Sequence, residues 1–395
     1  MYCYADENLI FLDSLKHESG FRLHLKNLSL FNFRNIREQN LEFKSHVVVF
    51  KGMNGQGKTN LVESIYFLSK GKSFRTSDIH HLVKNETNEG TRVFATAEQN
   101  STQLEIESKI INEAKTQSLN GKKTNSLKIF KNFPVILFSP ESLSAIKDGP
   151  EARRNLIDET LILESESNLK TIQNFRKILK TKNHVLRQFK QGRYTQNQVK
   201  DLLVGINPVF HEHATELTNA RISLLKNVHN LNQQSLMEII GKNVDIAVNY
   251  VIKSDEKENS ADFVSNTLRK ELEEKVLIEM AAGTSLYGPH KHDVVFEYGS
   301  MDSRFYCSQG QQRALILAFK FTQILYHHAI YGYYPILILD DVLSEFDREK
   351  RSFLIRFLNK NEAQTFLTTT DIDDALDLSH LDVSVLNVSE GAVSS

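Results

Sequence analysis

The chain has little cysteine and no long hydrophobic run. Its 395 residues include only two cysteines, Cys3 and Cys307, which lie far apart in sequence. This excludes a disulfide framework and a cysteine-rich zinc site, and it fits a reducing cytoplasm. No apolar stretch reaches the roughly 18 residues that a membrane span needs, so we expect no transmembrane helix. The first residues carry neither a basic segment nor a cleavage site, so we expect no secretion signal.

Charge is small overall but unevenly placed. The formal net charge is −1, yet the stretch from Asn168 to Lys200 holds nine basic residues and no acidic one. On helices such a stretch favours salt-sensitive, sequence-independent contacts with DNA phosphates. A solvated helix face is the alternative, but such a face normally mixes both signs. The predicted DNA contacts are Lys177, Lys180, Lys182, Arg187 and Lys190, and a weaker set is Lys122, Lys123, Lys128 and Lys131.

The most informative motif follows the apolar run Val47–Phe50. Its residues are Gly52, Met53, Asn54, Gly55, Gln56, Gly57, Lys58 and Thr59, which fit the phosphate-binding pattern G-x-x-x-x-G-K-[ST] between a strand and a helix. Glycines let backbone N–H groups point at phosphate oxygens, and the helix adds its positive dipole end. Lys58 is predicted to reach the β- and γ-phosphates of ATP, and Thr59 to bind Mg²⁺. An ordinary glycine-rich turn is the alternative, which this context disfavours.

Periodicity predicts the elements around this loop. Residues 60–68 place Leu61, Ile65 and Leu68 on one face of a helix that is predicted to end at Gly71. Strands are predicted at 22–31, 41–50, 91–97, 103–110, 135–138, 335–341, 363–370 and 383–388, with a hairpin turn at Asn120-Gly121. The strands therefore fall in the first and last thirds of the chain.

From about residue 150 the pattern becomes helical. Apolar residues repeat at coiled-coil spacing in two runs. The first is Ile172, Phe175, Leu179, Leu186 and Phe189, with Lys182 as a polar interruption; the second is Phe210, Ala214, Leu217, Arg221, Leu224, Val228 and Leu231. Gly192 and Gly205–Pro208 are predicted to supply turns between them. The runs indicate an antiparallel helical arm, and a globular helical subdomain that uses the same apolar faces is the alternative.

An apolar strand that ends in Asp340-Asp341 is the Walker B pattern. The carboxylate of Asp340 is predicted to bind Mg²⁺, and Asp341 to act as the catalytic acid or base that orients or deprotonates the attacking water. A strand that ends in a helix cap is the alternative when the pattern stands alone. The presence of a phosphate loop in the same chain favours the ATP site.

The string Ser308-Gln309-Gly310-Gln311 lies just before a helical pattern and resembles the signature motif of ABC-type ATPases. In that motif the hydroxyl of Ser308, the amide of Gly310, the neighbouring Gln311 and the helix dipole would form a second phosphate-binding surface. A plain helix cap is the alternative for the string alone. Its position before the Walker B strand matches the order in that superfamily.

The order of these motifs predicts the fold class. The phosphate loop and Asp340 lie about 280 residues apart, and one nucleotide site needs both. We predict an α/β fold, an ABC-type P-loop ATPase head split in sequence, with an inserted mainly helical arm domain. The expected parts are an extension at 1–20, ATPase parts at 21–148 and 288–395, and the arm at 149–287. In ABC-type ATPases the signature of one subunit completes the site of another, so a homodimer closed by ATP is expected.

Several further strings carry a closer resemblance. They are Asn32-Phe33-Arg34-Asn35, Gly71-Lys72-Ser73-Phe74-Arg75, Leu137–Glu141, Gly149-Pro150 with Arg153-Arg154, Gly288-Pro289-His290, Leu339–Asp347 and Thr368–Asp371, and the phosphate loop continues as Asn-Leu-Val-Glu. Over about residues 21–390 the chain resembles the RecF family of bacterial recombination mediators. The resemblance implies an ATP-dependent dimer that binds double-stranded DNA at single-strand gaps and acts with RecR and RecO to help load the RecA recombinase.

The resemblance also suggests roles for individual residues. Arg34 and Asn35 are expected to contact the nucleotide, and Thr370 and Asp371 to sense its γ-phosphate. Slow, DNA-stimulated ATP hydrolysis is expected to open the dimer. Two rivals are a nucleotide-switched DNA scaffold, in which hydrolysis is incidental, and an ATPase subunit of a DNA-cleaving defence complex.

The chain departs from the family pattern after Gly288-Pro289-His290. The family continues Arg-Asp-Asp, whereas this chain has Lys291, His292 and Asp293. Lys291 keeps the charge without the bidentate geometry, and His292 replaces an acid. The paired histidines of the chain lack acid or cysteine partners at zinc-like spacing, so we expect no metal besides Mg²⁺.

Overall fold

The computed structural model describes residues 22–84, 89–242, 244–252, 260–370 and 382–394. These residues separate into two compact units. The first unit holds the described residues through Ser144, Ser235–Lys242, and the described residues from Ile316 onward. The second unit holds Ala145–Gln234 and the described residues from 244 to Leu315. The predicted extension at 1–20 lies outside the described residues, and the predicted domain boundaries stay predictions.

Strands and helices follow one another in groups along the chain. The strands are β1 Leu23–Phe33, β2 Ile36–Glu42, β3 Val47–Lys51, β4 Thr91–Gln99, β5 Thr102–Ile111, β6 Ala114–Leu119, β7 Lys122–Lys123, β8 Val135–Phe138, β9 Ile246–Val251, β10 Asp293–Tyr298, β11 Met301–Asp302, β12 Ile336–Asp340, β13 Thr365–Thr369, β14 Val383–Ser389 and β15 Ala392–Ser394. The helices are α1 Lys58–Lys70, α2 Ser126–Asn132, α3 Pro150–Glu164, α4 Glu166–Lys190, α5 Gln196–Ile240, α6 Ala261–Glu274, α7 Val276–Ala282, α8 Ser303–Tyr306, α9 Gln309–Tyr331 and α10 Arg348–Lys360.

The first unit contains two six-stranded sheets. One is antiparallel, in the order β2-β1-β4-β5-β6-β7. The other has the order β15-β14-β3-β13-β12-β8, and all its pairs are parallel except β14 with β15. Because the carboxyl ends of parallel strands meet at one edge, the loops after β3, β12 and β13 lie together.

The strand predicted over 41–50 is wrong in one respect, because the structure divides it between two sheets. In β2 only Ile36 and Leu41 are buried, whereas Val47–Phe50 of β3 is buried throughout. A strand with one solvated face and a strand buried on both faces have different patterns of hydrophobic residues. The chain passes from one sheet to the other between β2 and β3. The hairpin at Asn120-Gly121 is confirmed, since both residues adopt positive φ between β6 and β7.

Helix α1 packs against strands of both sheets in the first unit. The predicted face of Leu61, Ile65 and Leu68 is fully buried, and so are Val62 and Phe67, so the helix is buried on more than one face. Each of these side chains contributes about 1.5–3 kcal/mol through burial. The helix ends at Gly71, which adopts the left-handed conformation and donates its N–H to the carbonyl of Phe67. The core thus fixes the direction of the helix that begins at the phosphate loop.

The second unit is mainly helical, with the short sheet β11-β10-β9. Its helices α4 and α5 pack against each other through Phe175 and Phe210, whose rings lie 5.6 Å apart. The turn predicted at Gly205–Pro208 is wrong, because α5 is continuous through it. Proline within a helix removes one N–H donor but keeps a helical φ, so packing of the helix can override the local signal. The turn at Gly192 is confirmed by its positive φ.

Two charged residues on the helical faces are buried in ion pairs. Lys182 Nζ lies 2.7 Å from Glu279 Oε2, and both side chains are inaccessible to solvent. Arg221 makes a bidentate pair with Asp158, at 2.8 Å and 3.0 Å. Burial therefore corrects the assignment of Lys182 to the DNA-contacting set, because its ammonium group is committed inside the second unit.

Candidate ATP-binding site

The phosphate loop is held from two sides in the first unit. Gly57 caps α1 with a φ of 108°, which side chains other than glycine rarely adopt. A Cβ on Gly52 would come within 2.3 Å of the carbonyl oxygen of Val388. The side chain of Gln56 accepts the N–H of Glu390 at 2.7 Å, which ties the loop to the β14–β15 hairpin. The glycines therefore allow a tight turn that packs closely against its own sheet.

Lys58 is folded into the curve of this loop. Its Nζ donates to the carbonyl oxygens of Gly52 at 2.7 Å and Met53 at 2.9 Å. Burial lowers the pKa of Lys58, while the nearby Asp341 and Asp340 oppose that shift. The ammonium group of Lys58 is thus held against the glycine-rich loop, which is where this motif binds phosphate oxygens.

The Walker B carboxylate meets the phosphate loop directly. Asp340 Oδ1 accepts the hydroxyl of Thr59 at 3.0 Å, although the two residues are 281 positions apart, and the hydroxyl of Thr368 at 2.9 Å. The sheet explains this meeting, since Asp340 pairs in register with Thr368, which pairs with Phe50 on β3. The loop Gly52–Thr59, Asp340 and Thr368 are called the phosphate half-site below.

The acidic pair is electrostatically and conformationally unusual. Burial raises the pKa of Asp340 despite the two hydroxyl donors. Asp341 adopts a φ of 50°, and its N–H donates to Thr368 Oγ1 at 3.0 Å. Such backbone strain is often concentrated at functional positions. The hydroxyl of Thr59 and the carboxylate of Asp340 are hard oxygen donors at one point, which is the ligand chemistry that Mg²⁺ prefers.

A buried glutamate organises the flank of the half-site. Glu63 on α1 accepts two hydrogen bonds from the Arg34 guanidinium, at 2.8 Å and 2.7 Å, and one from Ser73 Oγ at 2.5 Å. Asn35 accepts the side-chain amide of Asn60 at 2.7 Å. An open cavity of about 650 Å³ adjoins them, lined by Arg34, Asn35, Asn60, Arg75, His81, Val83 and Lys84. Sequence reasoning missed the role of Glu63, whose signal was the single acidic residue of α1.

The signature string forms a capping box in the second unit. Ser308 Oγ accepts the N–H of Gln311 at 3.3 Å, and the Gln311 side chain accepts the N–H of Ser308 at 2.8 Å. Ser308 and Gly310 are exposed, and a Cβ on Gly310 would contact only Ser308 Oγ, at 4.0 Å. The helix N-terminus of α9 therefore faces open space. Residues Ser308–Gln311 are called the signature half-site below.

Asp293, which follows the two departures from the family pattern, supports this half-site. Arg153 holds Asp293 in a bidentate pair at 3.0 Å and 2.9 Å, and Arg304 donates to Asp293 at 2.8 Å. Arg304 also pairs with Asp302 at 2.6 Å. Gln312 donates to the carbonyl of Ser303 at 2.7 Å. The segment before Ser308 is thus fixed by ion pairs within its own unit.

The histidines of the Gly-Pro-His loop are neutral packing residues. Burial lowers the pKa of His290 to about 4 and that of His292 to about 3. His290 Nε2 lies 3.2 Å from the carbonyl of Ser285, and His292 Nδ1 lies 3.0 Å from the hydroxyl of Tyr250. Among the described residues, no cluster of three or more histidine, cysteine, aspartate or glutamate side chains could hold a metal ion.

The remaining predicted residues lie on the surface. The basic stretch runs over α4, the turn after it and the start of α5, and its exposed members are Lys170, Arg176, Lys177, Lys180, Arg187, Lys190, Arg193 and Lys200. Lys190 also donates to the carbonyl of Ala282 at 3.1 Å. Thr370 is exposed after β13, and Asp371 lies outside the described residues. Along the part of the chain that the structure describes, no helix is long and apolar enough to cross a membrane.

Comparison with known proteins identifies the family. The model of the RecF/RecN/SMC N terminal domain matches residues 24–377. The DNA replication and repair protein RecF of Alkaliphilus oremlandii is 31% identical over 376 residues, which cover 93% of this chain and 99% of that protein. This chain belongs to the RecF family. The RecF protein of Staphylococcus aureus strain JH9 is 33% identical over 356 residues, covering 89% of this chain and 94% of that protein.

Solved structures confirm the predicted fold class for this RecF-family chain. The recombination mediator protein RecF with ATP, of the RecFOR pathway, has a TM-score of 0.82 at 28% identity, covering 96% of this chain and 99% of that chain. An Smc head domain from Pyrococcus furiosus has a TM-score of 0.52 at 15% identity, covering 94% and 95% of the two chains. The fold is therefore that of a RecF- or SMC-type ATPase head.

Proposed function

We propose that this chain is an ATP-dependent DNA-binding protein of recombinational repair and replication restart. ATP closes two copies into a dimer that binds double-stranded DNA near single-strand gaps. The observation that carries this proposal is the hydrogen bond from Thr59 to Asp340 beside the loop-bound Lys58. This geometry joins the two halves of a nucleotide motif across the length of the chain. The likeness to a RecF structure with ATP supports it.

The residues of the phosphate half-site have separable roles in this proposal. Backbone N–H groups of Gly52–Thr59 and the ammonium of Lys58 bind the phosphates. Thr59 and Asp340 would hold Mg²⁺, which neutralises charge on the phosphates when bound. Asp341 orients the attacking water. Arg34 and Asn35 line the adjoining cavity and contact the rest of the nucleotide, with Arg34 kept in place by Glu63.

The signature half-site acts on the nucleotide of the second copy. Its capping box uses the hydrogen-bonding groups of Ser308 and Gln311 with each other, while the helix N-terminus stays open to solvent. An anion is favoured at such a terminus by the dipole and the amides of α9. The γ-phosphate bound by one copy thereby becomes a ligand for both, so ATP stabilises the dimer.

The exposed basic surface of α4 supplies the DNA contacts. Lys177, Lys180, Arg187 and Lys190 lie on it with no acidic neighbour between Asn168 and Lys200. Such contacts neutralise phosphates without reading bases. Action with RecR and RecO to load RecA follows from family membership and from the RecFOR pathway named for the similar structure.

The deciding experiment measures mass in solution by sedimentation. We expect a monomer without nucleotide, a dimer with ATP and Mg²⁺, and tighter dimerisation when duplex DNA is added. The variant Lys58→Ala should stay monomeric under all three conditions, whereas Lys44→Ala, at an exposed lysine, should behave as the wild type. A wild-type chain that stays monomeric with ATP and duplex DNA would refute the proposal.

A further inference from the structure

Two large aromatic side chains lie exposed immediately before the signature half-site. Phe305 is 76% exposed and Tyr306 is 68% exposed. Among the described residues, the only other phenylalanine counted as exposed is Phe31, at 37%. Contiguous exposed apolar surface of this kind is characteristic of interaction sites. The proposed ATP chemistry does not use either ring.

The chain immediately before these rings is held in place by ion pairs. Arg304, the preceding residue, is held by Asp293 and Asp302, and its guanidinium carbon lies 5.4 Å from the centre of the Phe305 ring. Burial of Arg153 behind Asp293 anchors the same ion pairs in the second unit. A fixed base lowers the conformational entropy that binding would cost, because the backbone is already ordered.

Chain geometry places these rings beside the signature serine. Consecutive Cα atoms are about 3.8 Å apart, so the Cα of Phe305 lies within about 11 Å of that of Ser308. A protein surface that brings a phosphate to Ser308 therefore comes within reach of Phe305 and Tyr306. The phosphate loop of this chain carries an exposed apolar residue of its own, since Met53 is 74% exposed.

We propose that Phe305 and Tyr306 form an aromatic anchor that binds a second copy of this chain around its phosphate loop, with Met53 of the partner subunit as the apolar counterpart. The inference rests on the proposed ATP-dependent dimer and deepens it. Tyrosine and other aromatic residues dominate binding energy at interfaces, and methionine sulfur contacts aromatic rings favourably. The anchor supplies protein–protein affinity that the nucleotide alone does not.

The test uses the full chain and the double variant Phe305→Ala with Tyr306→Ala. We expect the dissociation constant of the ATP-bound dimer to rise about 30-fold or more, as for loss of an interface hot spot. Binding of fluorescent ATP by the monomer should be unchanged, because the anchor lies outside the phosphate half-site. The matched control is Leu277→Ala with Ile278→Ala, which removes two exposed apolar side chains of the same unit.

A cross-linking arm locates the counterpart. In a background with Cys3→Ser and Cys307→Ser, Met53→Cys and Tyr306→Cys should form an intermolecular disulfide when a mild oxidant is added to accept the two electrons that the thiols lose. The yield of this disulfide should depend on ATP. Absence of this cross-link in a dimer that forms normally would overturn the assignment of Met53.

The remaining outcomes separate this inference from the proposed function. If the anchor variant dimerises like the wild type while Ser308→Arg abolishes dimerisation, the anchor is refuted and the ATP dimer stands. If the anchor variant dimerises normally but loses affinity for duplex DNA, the rings contact nucleic acid and the inference is again refuted. If the wild type never dimerises with ATP, both fail together.

Discussion

The two half-sites of the proposed ATP site are built in opposite ways. In the phosphate half-site polar groups turn inward, with Lys58 on loop carbonyls and Asp340 between two threonine hydroxyls. In the signature half-site Ser308 and Gly310 are exposed, and the ion pairs that support them lie behind. The first arrangement suits a small ligand that replaces internal hydrogen bonds. The second suits a rigid surface that meets another protein. Matched substitutions in the two half-sites should therefore differ in sign.

The largest expected effect comes from Asp293→Asn, behind the signature half-site. The change leaves the buried guanidinium of Arg153 without its charged partner. Removal of one member of a buried pair costs about 3–5 kcal/mol, so the second unit should lose most of its stability. Hydrogen exchange should show faster exchange in the second unit than in the first. Glu274→Gln, at an exposed pair with Lys270, is the control and should change little.

The same aspartate-to-asparagine change at Asp340, in the phosphate half-site, should raise stability and not lower it. The raised pKa of Asp340 means that its ionised form is disfavoured in the folded state, so Asp340→Asn should raise the free energy of unfolding at pH 7. Loss of the carboxylate should weaken Mg²⁺-dependent ATP binding a hundredfold or more. Thermal denaturation and nucleotide titration measure the two effects. A lower free energy of unfolding for Asp340→Asn than for the wild type would contradict the expected difference between the two half-sites.

Helix α4 of the second unit, which we propose to contact DNA, allows exposed and buried lysines to be compared. The triple change of Lys177, Lys180 and Arg187 to alanine removes three exposed cations. The slope of log affinity for duplex DNA against log salt should become shallower by about 2 to 3. Lys182→Met is the matched comparison, since this lysine is buried on the same helix. It should leave the slope unchanged and lower stability, because Glu279 would lose its partner.

Acid should weaken the second unit through its buried histidines. The pKa of His292 falls from 6.5 in the unfolded chain to about 3 when folded. The unfolded state then binds more protons, so stability is complete above pH 6.5 and declines by about 1.4 kcal/mol per pH unit below it. The variant His292→Asn should flatten the decline between pH 6.5 and 5 by that amount.

The smallest expected effect concerns Ser308. It distinguishes the role of this serine as a helix cap from a role in binding phosphate. Ser308→Ala removes the cap of α9 and should cost about 1 kcal/mol. Ser308→Asp keeps a good cap, so stability should stay within a few tenths of the wild type. Its negative charge should nevertheless repel the phosphate of the second copy and weaken ATP-dependent dimerisation. Normal dimerisation of the aspartate variant would mean that the hydroxyl serves only as a cap.

Sequence patterns predicted the elements that depend on residues close together in the chain. The phosphate loop, the helix after it and the strand that ends at Asp340 each have a local signature, and the structure confirms those elements. Glu63, Thr368 and Asp158 acquire their roles only from residues distant in sequence, such as Arg221, which lies 63 positions from Asp158. No local pattern identifies such partners, because the register of strands and the packing of helices bring them together.

Lys182 and Pro208 show how tertiary context overrides local signals. A lysine in a basic stretch is predicted to face solvent, yet the carboxylate of Glu279 holds it inside the second unit. A proline near a glycine is predicted to end a helix, yet α5 passes through it. At Pro208, packing of the helix outweighed a propensity of about 3 kcal/mol. At Lys182, the ion pair with Glu279 offset the cost of burying a charge.

The position of β3 between β13 and β14 has a consequence during synthesis. The neighbours of β3 in its sheet, β13 and β14, are among the last strands to be synthesised. The hydrogen-bond partner of Thr59, Asp340, is synthesised 281 residues after it. At ribosomal speeds that interval lasts tens of seconds. The second unit, which ends at Leu315, is translated within that interval. A chain cut short before Asp340 would keep the phosphate loop but lack the carboxylate that we propose to bind Mg²⁺. On the proposed function, ATP binding therefore requires that translation has passed β12 and β13, because β13 lies between β3 and β12 in the sheet.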